Sequence, residues 1–289
     1  MSTTTQTWFI TGCTSGFGAE FVRQLRAAGH NVIATGRNAE VKLASLKEIG
    51  ATIMELDVTE PFVDIQAKLQ RAWDIYPGGI DVVVNNAGFV MAGMVEDLTP
   101  EDLDRSFKVN FYGPLNITRA ILPNLRARGE GTLVFISSVN GWACGPTGAA
   151  YASSKFALEE HIIAMVESLS KELAEVAPKI KLFMPEPGLF RTPVLGKIDH
   201  IEPQSSDYAE LHTKVKTALK NADGNQPGDP AKGVQYMIDM INGVGIAEGK
   251  DVPLRVPLGA DSFAAIKNKC KAMLEIIEDW EDIGKSTDL

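Results

Sequence analysis

The chain has few of the features that mark several common protein classes. Its three cysteines, Cys13, Cys144 and Cys270, are odd in number and far apart. They offer no disulfide framework and no C-x-x-C or Cys/His pattern of zinc ligands, so no metal site and a reducing, cytoplasmic setting are expected. No run of about 18 apolar residues is present, so no membrane span is expected. The opening residues MSTTTQTWFITG lack the basic and apolar regions of a secretory signal. Positive charge is in deficit, with 28 Lys and Arg against 37 Asp and Glu, a net charge of −9. That sign argues against nucleic acid or an anionic membrane as the main partner. There is no internal repeat and no low-complexity linker.

What the 289 residues do contain is alternation. TWFIT (7–11) reads as a strand and Phe17–Ala28 as a helix. NVIAT (31–35), TIMEL (52–56), IDVVV (80–84), TLVFI (132–136) and KIKLFM (179–184) read as further strands, and 251–254 as a last one. Helices are expected at Val41–Glu48, Ile65–Trp73, Leu103–Val109, Leu115–Arg126 and 151–174. Asp229-Pro230 supplies an N-cap and first helical position for Ala231–Ile241. A C-terminal helix is expected from Asp261. Strict alternation implies an α/β fold, a doubly wound parallel sheet of about seven strands with helices on both faces. A single domain over residues 1–289 is expected. Ligands of such sheets bind beyond the carboxyl ends of the strands.

The first strand runs into Thr11-Gly12-Cys13-Thr14-Ser15-Gly16-Phe17-Gly18. Gly12 permits a tight turn, Gly16 lets the backbone approach a pyrophosphate, and Gly18 lets the helix pack closely. The helix start then offers free N–H groups and partial positive charge to phosphates. The spacing is not G-x-G-x-x-G, so the turn alone is a moderate signal. The second strand ends Ala34-Thr35-Gly36-Arg37. A small residue followed by a guanidinium suits a ribose 2′-phosphate, where an acidic side chain would suit a free 2′-hydroxyl. NADP(H) is therefore favoured over NAD. Asp57 and Val58 follow the third strand, and Asn85, Asn86, Ala87 and Gly88 the fourth. Both stretches stand on the same cofactor side.

Ser138 closes the fifth strand, and Tyr151 and Lys155 open the next helix. Residues four apart share a helix face, so phenol and ammonium point the same way. A nearby cation is expected to lower the tyrosine pKa toward the range useful for acid–base chemistry. Ser138 stands where a substrate carbonyl or hydroxyl would be held. A Tyr-x-x-x-Lys pair is common by chance. Combined with the glycine turn and a serine at a strand end, it is a strong signal.

With these pieces, and with Asn110 in KVNFYG and Pro187-Gly188 with Thr192 in EPGLFRT, the chain resembles the short-chain dehydrogenase/reductase family in its single-domain form. It is similar to the NADP-preferring branch that includes 17β-hydroxysteroid and retinol dehydrogenases, and to microbial oxidoreductases. The resemblance implies a reductase or alcohol dehydrogenase that moves a hydride between nicotinamide and a carbonyl or secondary alcohol. It implies Tyr151 as general acid or base, and Lys155 on the nicotinamide ribose. Asn110 would hold a relay water, and Thr192 would contact the carboxamide. The family's spacing selects Ser138 over Ser137. The implied catalytic set is Ser138, Tyr151, Lys155 and Asn110. The implied cofactor contacts are Gly12, Thr14, Ser15, Gly16, Phe17 and Gly18 in the turn, and Arg37, Asp57, Val58, Asn85, Ala87 and Gly88 at strand ends. Tyr151, Lys155, Pro187, Gly188 and Thr192 complete them. A homodimer or homotetramer is also implied. A cofactor-binding sensor without catalysis, or an epimerase or dehydratase on the same fold, stays open.

Apolar residues at Phe89, Val90, Met91, Met94, Trp142, Leu189 and Phe190 suggest walls for a hydrophobic small molecule. The polar stretch 189–228, with a helical middle at Tyr208–Lys220, reads as a mobile lid. His161 reads as a packing residue, and His30 and His200 as surface residues. A helical extension is expected at 259–285, with Trp280 turned inward. Compared with the family pattern, the run after Lys155 is longer by about one helix turn. The helix should therefore reach further or bulge near Glu160–Ile163, with an effect on assembly.

Overall fold

The computed structural model describes residues 5–176 and 179–289, apart from the side chains of 163, 165–170 and 172–176. The strands are β1 (Thr7–Ile10), β2 (Asn31–Gly36), β3 (Thr52–Glu55), β4 (Val82–Asn85), β5 (Met91–Ala92), β6 (Glu130–Phe135), β7 (Lys179–Pro187), β8 (Asp199–His200) and β9 (Arg255–Leu258). The helices are α1 (Gly16–Ala27), α2 (Ala39–Lys42), α3 (Ala44–Glu48), α4 (Phe62–Trp73), α5 (Pro100–Phe107), α6 (Gly113–Arg128), α7 (Ala149–Val176), α8 (Ala209–Ala222), α9 (Pro230–Asn242) and α10 (Ala260–Lys285). Seven strands form one parallel sheet in the order β3-β2-β1-β4-β6-β7-β9. The order reverses between β1 and β4, where a crevice opens at the carboxyl ends.

The continuous apolar runs of the strands follow from coverage on both faces. Trp8, Ile10, Val82, Val84 and Val134 pack with Phe21 and Leu25 of α1 and Met237 and Ile238 of α9. The alternate residues Phe9, Val83, Leu133 and Phe135 pack on the other face, against Ile65, Leu69, Ile117, Ile121 and Leu158. The Asp229 side chain caps α9, accepting from Ala231 N at 2.9 Å and Lys232 N at 3.4 Å.

Several elements differ from the sequence expectation. The helix expected at 41–48 is two short ones, broken at Leu43, which turns fully into the core. The two helices expected between 103 and 126 are one run from Pro100 to Arg128, joined by a π turn at Lys108–Tyr112. Its start is fixed by a Thr99–Asp102 capping box with Pro100 at the first helical position. Pro114 has no N–H, so the Asn110 carbonyl loses its usual i+4 donor, which suits a widened turn there. The last strand falls at 255–258 rather than 251–254. Pro253 cannot donate to a ladder, so pairing begins after it. The short pair β5–β8 was not foreseen; it ties the chain after β4 to the segment 189–228.

Helix α7 is α-helical from Ala149 to Val176, with no bulge at Glu160–Ile163. His161 packs edge-on to Phe111 at 5.1 Å. His30 is buried rather than exposed, its Nδ1 accepting from Gln6 N at 3.2 Å. His200 is half-buried, 6.4 Å from the His212 ring. Trp280 does not turn inward; it is 61% exposed.

Candidate active site

The glycine turn lies at the switch between β1 and β4. Gly12 has φ +70°, and a Cβ there would meet Ala87 Cα at 2.8 Å. A Cβ on Gly18 would meet the Gly12 carbonyl oxygen at 2.5 Å, so this glycine packs helix against turn. Ser15 is extended and makes no side-chain cap to α1. The first N–H groups of α1 are therefore left without a side-chain cap, an arrangement that binds anions. Gly16 has φ +58°, and its open side faces Thr192 at 3.5 Å. The cradle fits a dinucleotide pyrophosphate: small, rimmed by N–H groups, and closed by Thr192.

The residue that holds this cradle is Asn86, which the sequence reading did not select. Its side-chain amide donates to Thr11 O at 2.8 Å and Gly12 O at 3.1 Å. Thr11 Oγ1 accepts from Asn86 N at 3.0 Å and Ala87 N at 2.9 Å. Asn85, which was selected, is buried within β4, and its side-chain oxygen and nitrogen have no hydrogen-bond partner among the described residues. Asn85 is the last residue of β4, whereas Asn86 lies just beyond it, where the chain passes the glycine turn. At the adenosine end, a Cβ on Gly36 would meet Thr14 Cγ2 at 3.0 Å. Arg37 is 74% exposed and stands 3.8 Å from Asp57. Asp57 Oδ1 accepts from Thr59 N at 2.9 Å and its hydroxyl at 2.8 Å. Val58 is buried and fixes Gly113, whose Cβ would lie 2.9 Å from it.

Ser138, Tyr151, Lys155 and Asn110 converge beside the crevice. Ser138 follows β6 with its Oγ accepting from Asn140 N at 3.1 Å, and it is a hydrogen-bond partner of the Tyr151 phenol. Lys155 is 5% exposed, donates to Ile136 O at 2.9 Å, and lies 5.9 Å from the Tyr151 ring centroid. Burial lowers the Lys155 pKa to about 8, with Glu159 acting the other way. The Tyr151 phenol is pushed up by desolvation, and only Ser138 opposes it. This corrects the expected lowering: desolvation of the buried phenol dominates. Asn110 is fully buried in the π turn. Its side chain clamps Phe89, accepting from its N at 3.1 Å and donating to its O at 3.1 Å. It also donates to Ser154 Oγ at 3.0 Å. The side chain is thus committed to protein.

Behind Lys155 lies a buried acidic cluster that no sequence spacing announced. Glu159 and Glu186 are 0% and 1% exposed. Ser137 donates to Glu159, so the two adjacent serines serve different groups. Arg255 Nε donates to Glu186 Oε1 at 2.5 Å, and its Nη2 lies 2.8 Å from Glu159 Oε2. The second contact is an ion pair by distance but is not aligned as a hydrogen bond. Trp142 donates to Glu186 at 3.0 Å and lies under Arg255 at 4.1 Å, so it belongs to this cluster. Desolvation, then Glu186, raises the Glu159 pKa to about 8. The Glu159 carboxyl is therefore the one that keeps its proton, despite the nearby Arg255 guanidinium.

The stretch after β7 closes the other side. A Cβ on Gly188 would strike the Asp261 carboxylate at 2.2 Å, so this glycine admits the start of α10. Lys197 reaches the cradle, donating to Ser15 Oγ at 3.0 Å, and was not foreseen. Of the expected walls, Met91, Met94 and Phe190 are buried, Phe190 edge-on to Phe17 at 5.1 Å. Phe89, Val90 and Leu189 keep exposed surface.

The sheet, the phosphate cradle at its switch point and the tyrosine–lysine–serine group define a nucleotide-dependent oxidoreductase. The chain belongs to the short-chain dehydrogenase family, whose model, described as short chain dehydrogenase, matches residues 6–202. Members of that family transfer hydride. The structure superposes on a short-chain dehydrogenase from Streptomyces avermitilis with TM-score 0.84 and 32% identity over 100% of both chains. The oxidoreductase calM of Penicillium decumbens is 31% identical over 293 residues, covering 96% of this chain and 91% of that one. The 3-ketodihydrosphingosine reductase of Bacteroides thetaiotaomicron is 33% identical over 220 residues, covering 75% and 76%.

Proposed function

We propose that this chain is an NADPH-dependent reductase of a carbonyl on a hydrophobic small molecule, reversible as a secondary-alcohol dehydrogenase. The observation that carries it is the group Ser138, Tyr151 and Lys155 set beside an uncapped glycine cradle. Gly12, Thr14, Ser15, Gly16, Phe17 and Gly18 would hold the pyrophosphate, with Thr192 above. Arg37 would take the 2′-phosphate, which supports NADP over NAD; Asp57, Val58, Asn85, Ala87 and Gly88 would line the adenosine side. When bound, the cofactor supplies or accepts the hydride. Ser138 would hold the carbonyl oxygen, and the Tyr151 hydroxyl would donate its proton there. Lys155 would bind ribose and replenish the phenol through water held at Asn110. Pro187 and Gly188 position the 189–228 lid. An apolar substrate is supported by Phe89, Val90 and Leu189, and by the relative whose name is that of a lipid ketone reductase.

A homodimer or homotetramer in the cytoplasm completes the reading; no helix among the described residues is long and apolar enough to cross a membrane. The test is NADPH oxidation with a panel of ketones, with NADH in parallel. Tyr151→Phe is expected to lower kcat at least 1,000-fold, on the order of 4 kcal/mol of barrier. Turnover equal to that of the parent would overturn the assignment. Arg37→Ala should erase the preference for NADPH; a preference that survives refutes the 2′-phosphate reading.

A further inference from the structure

Helix α10 leaves the body of the protein. Its first turn is pinned, since buried Ser262 donates to Glu186 O at 2.8 Å and Asp261 accepts from Leu189 N at 2.7 Å. From Lys267 to Lys285 every residue is exposed. Helices in proteins draw most of their stability from burying an apolar face, and this length buries none against the described residues. The face exists. Phe263, Ile266, Cys270, Met273, Ile277 and Trp280 recur at alternating steps of three and four, the a and d positions of a heptad. Leu274, Ile276 and Ile283 flank them. Phe263, Leu274, Ile277, Trp280 and Ile283 are each more than half exposed, at 57%, 58%, 56%, 61% and 59%. A continuous apolar stripe of this size marks an interaction surface.

The charge pattern selects the occupant. The exposed stretch from Lys267 to Leu274 carries Lys267, Lys269 and Lys271 and no acid. The remainder carries Glu275, Glu278, Asp279, Glu281 and Asp282, with Lys285. A second copy laid antiparallel sets each basic half against an acidic half and opposes the two helix dipoles. A parallel copy would stack like charges, and an anionic bilayer would meet the acidic half. We propose that α10 pairs with α10 of a second copy as an antiparallel two-stranded coiled coil. In the register that matches both stripe and charge, Cys270 faces the partner's Trp280 and Met273 faces the partner's Ile277. Lys267 lies beside the partner's Glu281. The two Cys270 residues are then about 15 Å apart, ten residues at 1.5 Å rise. The pairing is independent of the proposed catalytic function.

Site-specific crosslinking of the full chain tests it. Cys13 is buried, and Cys144 is exposed and is replaced by Cys144→Ser throughout. Adding Trp280→Cys and oxidising mildly should give a covalent dimer in at least tenfold higher yield than the chain that keeps Trp280. Ile277→Asp in that background should remove the gain. Lys267→Glu should reduce it, and Lys267→Glu with Glu281→Lys should restore it. Sedimentation equilibrium gives a second reading without the new cysteine: Ile277→Asp should halve the mass of the native assembly at equal concentration. Three results overturn the proposal. They are a Cys270 to Cys270 dimer with Trp280 intact, an unchanged mass in Ile277→Asp, and cosedimentation of α10-dependent monomer with phosphatidylcholine–phosphatidylserine vesicles.

Discussion

Glu159→Gln should reverse part of the protein's dependence of stability on pH. In the folded chain Glu159 keeps its proton up to about 8, against an ordinary carboxyl value of 4.5. Between those values the folded state binds a proton that the unfolded state has lost, so stability falls as pH rises. The contribution is whole below the unfolded value and gone above about 8. The full span corresponds to about 5 kcal/mol, and local relaxation on ionisation reduces it to about 2 kcal/mol. A glutamine in that place still accepts from Ser137 and cannot ionise. Urea denaturation of the cofactor-free protein at pH 5.5, 7 and 8 reads the effect. Parent and variant should agree within about 1 kcal/mol at pH 5.5, and the variant should be more stable by about 2 kcal/mol at pH 8. His30 and His200 have pKa values lowered by burial, so their contributions grow as pH rises, but equally in both proteins. Lys155, lowered to about 8, adds stability only above that pH in the parent, which sets the upper limit of the series. Losing the Glu159 charge lowers Lys155 further and acts in the same direction. A parent–variant gap constant within about 0.5 kcal/mol across the series would refute the buried proton on Glu159.

Other consequences are equally measurable. Lys197→Ala, which removes the cation beside Ser15, should weaken NADPH binding roughly fivefold to tenfold by fluorescence titration, with a shallower salt dependence. Gly12→Ala should lower the unfolding free energy by about 1–3 kcal/mol, because it forces a Cβ onto Ala87 at positive φ. Thiol titration of the native protein should count exposed Cys144 and not Cys13. Cys13, buried and pushed up to about 12, should react on unfolding.

Some of the site was legible because its signals are local. Glycines between a strand and a helix, a Tyr and Lys one turn apart, and a serine at a strand end each follow from periodicity and turn chemistry. The π turn around Asn110 was half legible: Pro114 was visible, but the helix on both sides was read as two pieces. Asn85 against Asn86 was not legible, because two adjacent asparagines differ only in where β4 ends against the glycine turn. Lys197 was not legible either, since it reaches Ser15 across more than half the chain.

The sequence by itself determined the alternation of strands and helices, the position of the phosphate turn and the face shared by Tyr151 and Lys155. Each depends on residues a few positions apart, whose geometry the backbone dictates. Tertiary structure decided how those groups are charged and what lies against them. Glu159, Glu186 and Arg255 come from α7, β7 and β9, and only the packed sheet removes them from water together. The same desolvation raises the Tyr151 phenol, where sequence spacing alone had suggested the opposite. Trp280 shows the converse. Its heptad stripe was written in the sequence, but only the packed body leaves that stripe exposed among the described residues.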